Sequence, residues 1–391
     1  MTVDLSQYHY APILKWKAGE YRGLSDVSPV KKRHTAPIFL MPPNGSFDND
    51  EGKVLSPDEH IKSFGSRVAS AWSGRLCFLD AGQIDTPEYW SAAGGSHPLL
   101  ALIERSSLYN LRALCAPATS LSMLSEYQLA VRRIHQKDAR LPVCVRVYAE
   151  ELDDPKLKSS IENLLATINC QPNEVLLVLD AANLSYENPV ELAAMLTHGV
   201  NSLPFLHKWA ALAISLCSLP SKPVTPPNQV TEFARDDWLV YATMREHYLN
   251  RDLIRMPIFS DYGTENTDFG PSKPVWPATQ LRYSTDKSLF VFKGQNTKVG
   301  GYKGIFPVAK RLTKHSCFSG RRFSHGDAQI ADLAQRSERP GNASNWKQYG
   351  ITHHLALVHE QVAKLIGVSL VEQDAISSDE NQQGNLFDAF S

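Results

Sequence analysis

The run Val175-Leu-Leu-Val-Leu179, followed at once by Asp180, decides the fold of this chain. Five apolar residues in succession are typical of a parallel strand that is covered on both faces. Cys144-Val-Arg-Val-Tyr148 has nearly the same character. Stretches with the helical period of 3.6 residues flank both runs, so we expect parallel strands that alternate with helices.

Eight apolar runs of this kind precede residue 271, and helical patterns separate most of them. The predicted strands are Ile13–Lys17, Pro37–Met41, Leu76–Asp80, Arg112–Ala116, Pro142–Tyr148, Glu174–Asp180, Trp209–Ser215 and Met256–Tyr262. The clearest predicted helices are Ser56–Ala71, Ser122–Gln136, Asp154–Ile168, Asn188–Leu203 and Asn228–Asn250. Because eight such units close into a barrel, the pattern predicts an α/β fold, a (β/α)8 TIM-like barrel. An open, doubly wound sheet is the alternative, although no Gly-rich phosphate loop follows the first strand.

The pattern changes after residue 270, and the chain divides there. Residues 1–270 are assigned to the barrel. Residues 271–371 are assigned to a C-terminal α+β elaboration, which is either a separate domain or a lid over the barrel, and Gln280–Tyr283 begins a predicted hairpin. Residues 372–391 are polar and acidic, which predicts a disordered tail.

The charge balance of the chain is nearly neutral. Lys plus Arg is 40 and Asp plus Glu is 41, a formal net charge of −1, which argues against broad coating of nucleic acid or anionic membrane. None of the six cysteines forms a C-x-x-C pair, so we interpret them as small buried residues in a reducing compartment. No apolar run reaches roughly 18 residues, so we expect no membrane span and a cytoplasmic protein.

Several short motifs occur in the same order as in a known family. They are Tyr10-Ala-Pro-Ile-Leu-Lys-Trp-Lys-Ala-Gly-Glu20, Ser324-His-Gly-Asp327 with Ile330, Trp346, and Gly350-Ile-Thr-His-His354. With them the chain resembles the bacterial and phage beta protein family over about residues 8–360. The resemblance implies a barrel-like pattern and an association with mobile elements and antiphage islands. It supplies no catalytic assignment.

Lys15 and Lys17 are two residues apart on the first predicted strand, so their side chains point to the same face. Glu20 follows in the loop. Lysines on an apolar-flanked strand are costly to bury unless they meet an anion. Two interpretations stay open: a phosphate or carboxylate pocket at the barrel mouth, or a structural network with acidic residues of neighbouring strands.

Three carboxylates fall at predicted strand ends, where catalytic groups collect in a barrel. Asp80, Asp180 and Asp261 end the third, sixth and eighth strands. Together they could bind a hard cation such as Mg²⁺ through oxygen ligands. The alternative is that each caps the helix that follows, as Asp often does.

A second polar set lies near the C-terminus. Thr352 could cap a helix at His353–Leu365 whose first turn carries His353 and His354, and Asp327 stands in a polar Gly-containing loop. A histidine there could act as a general acid or base, or bind an anion at the helix N-terminus. The alternative is one packed histidine and one exposed histidine. A lid would bring this set to the face of Lys15.

Four basic residues complete the candidate ligand-binding set: Arg146, Arg282, Lys293 and Arg321. The chain has no H-E-x-x-H, no G-x-S-x-G and no Walker loop, so no complete catalytic motif is present. If the protein is an enzyme, this inventory of Lys, Arg, Asp and His favours a hydrolase acting on phosphoester bonds.

The tail carries a peptide-like motif. Gln383-Gly-Asn-Leu386-Phe387 resembles the peptide by which many proteins dock on the bacterial DNA sliding clamp, and Phe390 adds a further apolar anchor. The alternative is that Leu386, Phe387 and Phe390 fold back onto this chain or onto a second copy in an oligomer.

Two functional hypotheses follow. In the first, the protein is a component of a phage-defence or mobile-element system. Its barrel mouth binds an anionic ligand such as a nucleotide or nucleic acid, its tail docks on the sliding clamp, and a nuclease or another defence-system subunit is a candidate partner. In the second, it is a metal-dependent TIM-barrel phosphoesterase or nuclease-like enzyme, with Mg²⁺ as cofactor and a tail used for self-association.

Overall fold

The computed structural model of the chain describes residues 3–48, 53–109, 114–184, 186–269 and 276–367. The strands of these residues are, in chain order, β1 (Ile13–Lys15), β2 (Ile38–Leu40), β3 (Phe47–Asp48), β4 (Lys53–Val54), β5 (Leu76–Asp80), β6 (Leu114–Ser120), β7 (Val143–Tyr148), β8 (Val175–Asp180), β9 (Ala211–Leu216), β10 (Val230–Ala234), β11 (Ile258–Asp261), β12 (Ala278–Ser284) and β13 (Ser288–Asn296).

The helices of these residues follow in the same way. They are α1 (Ala18–Ser25), α2 (Pro29–Arg33), α3 (Pro57–Trp72), α4 (Pro87–Ala92), α5 (Pro98–Tyr109), α6 (Ser125–Lys137), α7 (Leu157–Ile168), α8 (Pro189–Ser202), α9 (Asp236–Leu249), α10 (Thr297–Gly300), α11 (Ile305–Lys314), α12 (His325–Gln335) and α13 (Ala343–Ile366). Short 3-10 turns lie at Gly82–Ile84, Ala149–Asp153, Pro172–Glu174 and Tyr302–Gly304. None of the helices in the described residues is long and apolar enough to cross a membrane.

Eight of the strands form one parallel sheet in the order β1-β2-β5-β6-β7-β8-β9-β11. The two edges of this sheet meet. Tyr10 bridges Phe259 of β11 in parallel, and the Ala11 N–H donates to the Phe259 carbonyl at 2.9 Å. The sheet therefore closes into a (β/α)8 barrel, and the predicted TIM-like fold is confirmed.

The predicted helices are confirmed with one correction. Ser56 caps α3 as expected, because its hydroxyl accepts from the Glu59 N–H and the Glu59 carboxylate accepts from the Ser56 N–H. The helix predicted at Asn228–Asn250 was wrong in its first part. Residues Val230–Ala234, with their β-branched Val and Thr, form β10, and α9 begins only at Asp236.

The predicted hairpin is confirmed as β12 and β13, and β10 pairs with the other edge of β13. This three-stranded antiparallel sheet of the C-terminal region thus takes one strand from the segment between β9 and α9. A second apolar core lies between this sheet and α11 to α13. It includes Leu281, Phe292, Ile305, Leu312, Ile330 and Trp346.

Helix α13 joins the two cores. Its residues Ile351, Leu355 and Val358 pack into the barrel core, whereas Trp346 belongs to the second core. The approach to α1 is close, since a Cβ at Gly23 would lie 2.6 Å from Ile351. The C-terminal region is consequently packed on the barrel through one long helix.

Candidate functional site

Arg146 occupies the centre of the barrel mouth. It projects from β7 and is buried, with 5% of its surface exposed. Its Nη1 donates to Asp80 Oδ2 at 2.7 Å, and its Nη2 donates to Asp180 Oδ2 at 2.6 Å and to the Tyr262 hydroxyl at 3.0 Å. Tyr262 in turn donates to Asp180 Oδ2 at 2.9 Å. One guanidinium thus ties together three strands of the barrel.

The remaining carboxylate oxygens are also engaged. Asp80 Oδ1 accepts from the Gly82 N–H at 2.9 Å, and Asp180 Oδ1 accepts from the Ala182 N–H at 3.1 Å. Both carboxylates therefore order the loop that follows their own strand through bonds to the N–H two residues on, and neither caps the following helix as the alternative predicted. A divalent cation at this point would have to compete with the Arg146 guanidinium for them.

Asp261 does not join these two carboxylates, and the expected cluster of three is corrected. Neighbouring residues of a strand point to opposite faces, so Tyr262 enters the mouth and Asp261 turns away. Its Oδ2 lies 2.9 Å from His354 Nε2, and its Oδ1 accepts from the Tyr10 hydroxyl at 2.6 Å. These contacts, which oppose the effect of burial, lower the pKa of Asp261.

A cavity of about 350 Å³ opens above the Arg146 cluster. It is lined by side chains that include Gln83, Ser122, Tyr148, Asn183 and Phe269. At its floor one guanidinium faces two carboxylates. This charge balance does not favour a further anion at the centre of the mouth.

Lys15 and Lys17 lie at the rim of the mouth, beside the loop that follows β11. The Lys15 ammonium donates to the Asp268 carbonyl, and the Lys17 ammonium donates to the Phe269 carbonyl at 2.6 Å. Strand β1 ends at Lys15, and Lys17 stands at the N-cap of α1. Both lysines thus bind main-chain carbonyls of the loop after β11, and neither of these hydrogen bonds is an ion pair.

Two carboxylates and two further cations surround these lysines. Lys347 of α13 lies 3.4 Å from Glu20 Oε1 and 3.3 Å from Glu265 Oε2. Arg282 of β12 pairs with Glu265 Oε1 at 2.6 Å. We call the six residues Lys15, Lys17, Glu20, Glu265, Arg282 and Lys347 the rim cluster.

Positive charge exceeds negative charge in the rim cluster. Within the described residues it has four cationic and two anionic side chains, an excess of two positive charges. Burial, with Lys347 nearby, lowers the pKa of Lys17 to about 8. Although burial opposes it, Arg282 and Lys347 lower the pKa of Glu265 to about 2. Burial raises the pKa of Glu20 despite its cationic neighbours, and the cations of the cluster outnumber its carboxylates.

A smaller cavity of about 80 Å³ lies against this cluster, and we call it the rim cavity. Lys17 and Lys347 line it, together with Gly19 of α1 and with Ala343 and Ser344 of α13. The N-terminal turns of two helices therefore line the same small space as two lysine side chains. Helix N-termini carry partial positive charge and point free N–H groups outward.

Residues that the sequence left out complete the rim cluster. Glu265 and Lys347 were not predicted, because neither lies on a strand end or in a motif. Their signal was indirect: Glu265 follows Asp261 by four residues in the loop after the eighth strand, and Lys347 directly follows Trp346. Only the packing of α13 on α1 brings Lys347 to the lysines of the first strand.

His353 is buried in the interface between α12, α13 and β12. Its Nδ1 lies 2.9 Å from Asp327 Oδ2, and its Nε2 lies 2.8 Å from the Ser284 carbonyl. Asp327 also accepts from the Tyr283 hydroxyl at 2.6 Å and from the Ser324 hydroxyl at 2.5 Å. Asp327 stands in α12, which Ser324 caps, and not in a loop as predicted.

His354 continues this network toward the barrel. Its Nδ1 is 2.7 Å from the Ser284 hydroxyl, and its Nε2 contacts Asp261 of β11. Both histidines are buried, at 0% and 1% exposure, so the expectation of one exposed histidine was wrong. The His354–Asp261 pair thus joins the C-terminal region to the barrel, whereas the His353–Asp327 pair holds α12 and α13 together.

The position of these histidines in the helix corrects a second prediction. Helix α13 begins at Ala343, with Asn342 as its N-cap, so Thr352 caps nothing and the histidines lie in the helix middle. An anion cannot meet them at a helix N-terminus. The C-terminal region reaches the surroundings of Lys15 with Lys347 and Arg282, and not with the histidines named in the sequence.

A family model described as Beta protein matches residues 10–360 of the chain. The chain belongs to the Beta protein family. The resemblance seen in the sequence is thereby confirmed. No curated protein gives a significant match.

Several solved structures share a low similarity with the chain. Triosephosphate isomerase from Bartonella henselae is 12% identical, with 64% of this chain and 90% of that chain covered and a TM-score of 0.32. The YdjI aldolase from Escherichia coli K12 is 10% identical, with 93% of each chain covered and a TM-score of 0.34. Scores of this size carry no argument, and the barrel is assigned from its own strand order.

Two predicted ligand-binding residues lie away from the rim cluster. Lys293 is on β13, where its carbonyl accepts from Arg311 Nη2 at 2.6 Å. Arg321 forms an ion pair with Asp332 at the surface of α12. The predicted tail residues Gln383, Leu386, Phe387 and Phe390 lie outside the described residues.

One further group of side chains could hold a metal ion. Among the residues that the structure describes, His135, Cys170 and Glu174 form the one set of three His, Cys, Asp or Glu side chains whose ligand atoms all lie within 4.8 Å of one another. Glu174 directly precedes β8, so this group lies at the N-terminal end of the barrel, opposite the mouth. From its sequence, Cys170 was expected to be only a small buried residue.

Proposed function

We propose that the protein binds a phosphate-bearing ligand, such as a nucleotide, at the rim of its barrel. The observation that supports this most directly is the excess of two positive charges in the rim cluster. Charges taken out of water are costly unless they are paired. A phosphate monoester carries about 1.5 to 2 negative charges at neutral pH, which would balance that excess.

The rim cavity offers such a group two kinds of partner. Lys17 and Lys347 would supply charge-assisted hydrogen bonds. The N-terminal turns of α1 and α13 would supply backbone N–H groups and a favourable dipole. Gly19 keeps the entrance of α1 open, since a Cβ there would lie 2.8 Å from Lys347 Cβ.

The same geometry favours a binding role over metal-dependent hydrolysis. Mg²⁺ needs oxygen ligands that it does not share with a competing cation. Asp80 and Asp180 are tied to Arg146, and Asp261 is tied to His354. The phosphoester hydrolase of the second hypothesis would have to release one of these pairs before it could assemble a metal centre.

Calorimetric titration with inorganic phosphate and with a nucleoside monophosphate tests the binding proposal. Each charge-assisted hydrogen bond contributes about 1.5–3 kcal/mol, so K17A or K347A should weaken binding by roughly 10- to 100-fold. K303A is the matched control, because that exposed lysine pairs with Glu338 and should leave affinity unchanged. E20Q should strengthen binding, since it removes a competing carboxylate. Equal affinities in all four variants would exclude this site.

We also propose that the protein acts in the cytoplasm as a component of a phage-defence or mobile-element system that docks on the DNA sliding clamp. Its family membership and the motif Gln383-Gly-Asn-Leu386-Phe387, with Phe390, support this. Leu386 and Phe387 would be the apolar anchors in the groove of the partner. Purified clamp should be retained by the full chain and lost with L386A/F387A or after truncation at Asp379. Unchanged retention by these variants would contradict docking through the tail.

A further inference from the structure

Three potential ligands from three segments meet at the N-terminal end of the barrel. His135 is in the last turn of α6, Cys170 follows α7, and Glu174 ends the 3-10 turn before β8. His135 Nε2 lies 3.6 Å from Glu174 Oε2. His135 and Cys170 are buried, whereas the Glu174 side chain keeps 24% of its surface exposed. The group thus opens to solvent on the glutamate side alone.

The orientation of the histidine ring points to a positively charged occupant. His135 Nδ1 lies 3.1 Å from the Leu141 carbonyl. A carbonyl only accepts, so Nδ1 carries the hydrogen and the neutral ring presents an electron pair at Nε2. That electron pair faces the Glu174 carboxylate and the Cys170 sulfur. Three electron-pair donors that face one another need either a proton or a metal ion between them.

A proton would satisfy only part of this group. An imidazolium at His135 would pair with Glu174, and the Cys170 thiol would donate to the same carboxylate, so one carboxylate would have to serve two donors. The thiol also donates weakly to the Gln171 carbonyl at 3.7 Å. A metal ion would engage all three atoms at once.

Supporting contacts of the kind found around metal ligands are already in place. Metal-bound histidines usually donate their other N–H to a carbonyl or carboxylate, as His135 does to Leu141. The ligating carboxylate is usually hydrogen-bonded as well, and Glu174 Oε2 accepts from the Gln171 N–H at 2.8 Å. Backbone groups therefore hold the His135 ring and the Glu174 carboxylate in position.

The donor set selects the metal. Imidazole nitrogen, thiolate and carboxylate together suit Zn²⁺, whereas Mg²⁺ and Ca²⁺ prefer oxygen alone. Tetrahedral zinc with bonds of about 2.0–2.3 Å holds its ligand atoms roughly 3.3–3.8 Å apart, so small side-chain rotations would close this group.

We infer that His135, Cys170 and Glu174 bind a zinc ion at the N-terminal end of the barrel, with a water molecule as fourth ligand. Binding replaces the thiol proton of Cys170, which leaves to solvent, and forms bonds to Nε2, Sγ and a carboxylate oxygen. The ion would link α6 to the connection between α7 and β8. Its role would be structural, since the residues at this end of a barrel serve stability.

Metal binding to the full-length protein tests this inference. After dialysis against Zn²⁺ and removal of free metal, mass spectrometry should find about one ion per chain. With Co²⁺ in its place, a thiolate-to-cobalt charge-transfer band should appear. C170S should abolish that band and most of the bound metal, whereas C317S, which changes a cysteine of the C-terminal region, should keep both.

A second measurement covers the case in which C170S fails to fold. A chelator should lower the melting temperature of the wild-type protein, and added Zn²⁺ should restore it. Absence of stoichiometric metal in the wild-type protein would overturn the inference and leave a simple His135–Glu174 ion pair. Persistence of the charge-transfer band in folded C170S would overturn it equally.

Discussion

The barrel mouth and its rim treat buried charge in opposite ways. At the mouth, Arg146 and two carboxylates satisfy one another, and backbone N–H groups take up the remaining oxygens. At the rim, Lys15 and Lys17 donate to main-chain carbonyls, whereas Glu20 and Glu265 form their ion pairs with Lys347 and Arg282. The comparison teaches that a polar cluster at a strand end is a candidate binding site when some of its cations lack an ion pair, and a structural device when every charged group has a direct partner of opposite charge.

The largest expected effect comes from breaking the Arg146 cluster, in which both carboxylates depend on one guanidinium. R146M should cost about 3–5 kcal/mol in the free energy of unfolding, because it leaves Asp80 and Asp180 buried without their cation. Chemical denaturation measures this loss. D80N/D180N in the R146M background should recover part of it, since the two uncompensated charges are then gone. A loss below about 1 kcal/mol would show that Arg146 is not what holds these carboxylates.

The matching change in the rim cluster should have a much smaller effect on the free energy of unfolding. K17M should leave the free energy of unfolding unchanged or raise it at pH 7, because burial and Lys347 already disfavour the charged amine. The folded-state pKa of about 8 lies below the unfolded value of 10.5, so the penalty is complete below pH 8 and disappears as pH rises toward 10.5. The advantage of K17M over the wild type should therefore shrink between pH 8 and 10.5. K303M, at an exposed site, should show no such trend, and a K17M protein that is markedly less stable at pH 7 would contradict the imbalance.

The smallest expected effect comes from adding a methyl group at Gly19, which lines the rim cavity. G19A would place a Cβ 2.8 Å from Lys347 Cβ and should push that lysine aside, which weakens phosphate binding a fewfold. G304A is the control, because a Cβ there would lie no nearer than 3.4 Å to its neighbours, all of them atoms of Thr279, which is not in the rim cluster. Titration calorimetry compares the two variants. Equal phosphate affinity in both would remove Lys347 from the proposed site.

The barrel was predictable because each of its strands has a recognisable apolar pattern in the local sequence. Runs such as Val175-Leu-Leu-Val-Leu179 are apolar on both faces, and no other arrangement of short elements covers both faces so well. That same property hid the orientation of Asp261. When both faces of a strand are apolar, the sequence does not tell which residues point into the mouth, so Asp261 was grouped with carboxylates that it never meets.

The candidate site was predictable in part. Lys15, Lys17 and Glu20 were named because charge at a strand end is visible in the sequence, and Arg282 because it stood in a polar hairpin. Their partner Glu265 comes from a loop 250 residues after Lys15, and Lys347 comes from a helix 332 residues after it. Such pairings are set by tertiary packing, which periodicity and composition do not encode. The same holds for His135 and Cys170, whose spacing of 35 residues matches no local metal motif.

Strand β10 limits how recombination can divide the gene for this protein. It lies between two barrel elements along the chain, yet it forms the outer strand of the C-terminal sheet beside β13. A gene fragment cut at residue 270 would keep β10 and lose the strand that covers it, so the truncated barrel would display an unpaired edge that invites aggregation. The two regions are therefore not interchangeable modules, and recombination would have to move them together.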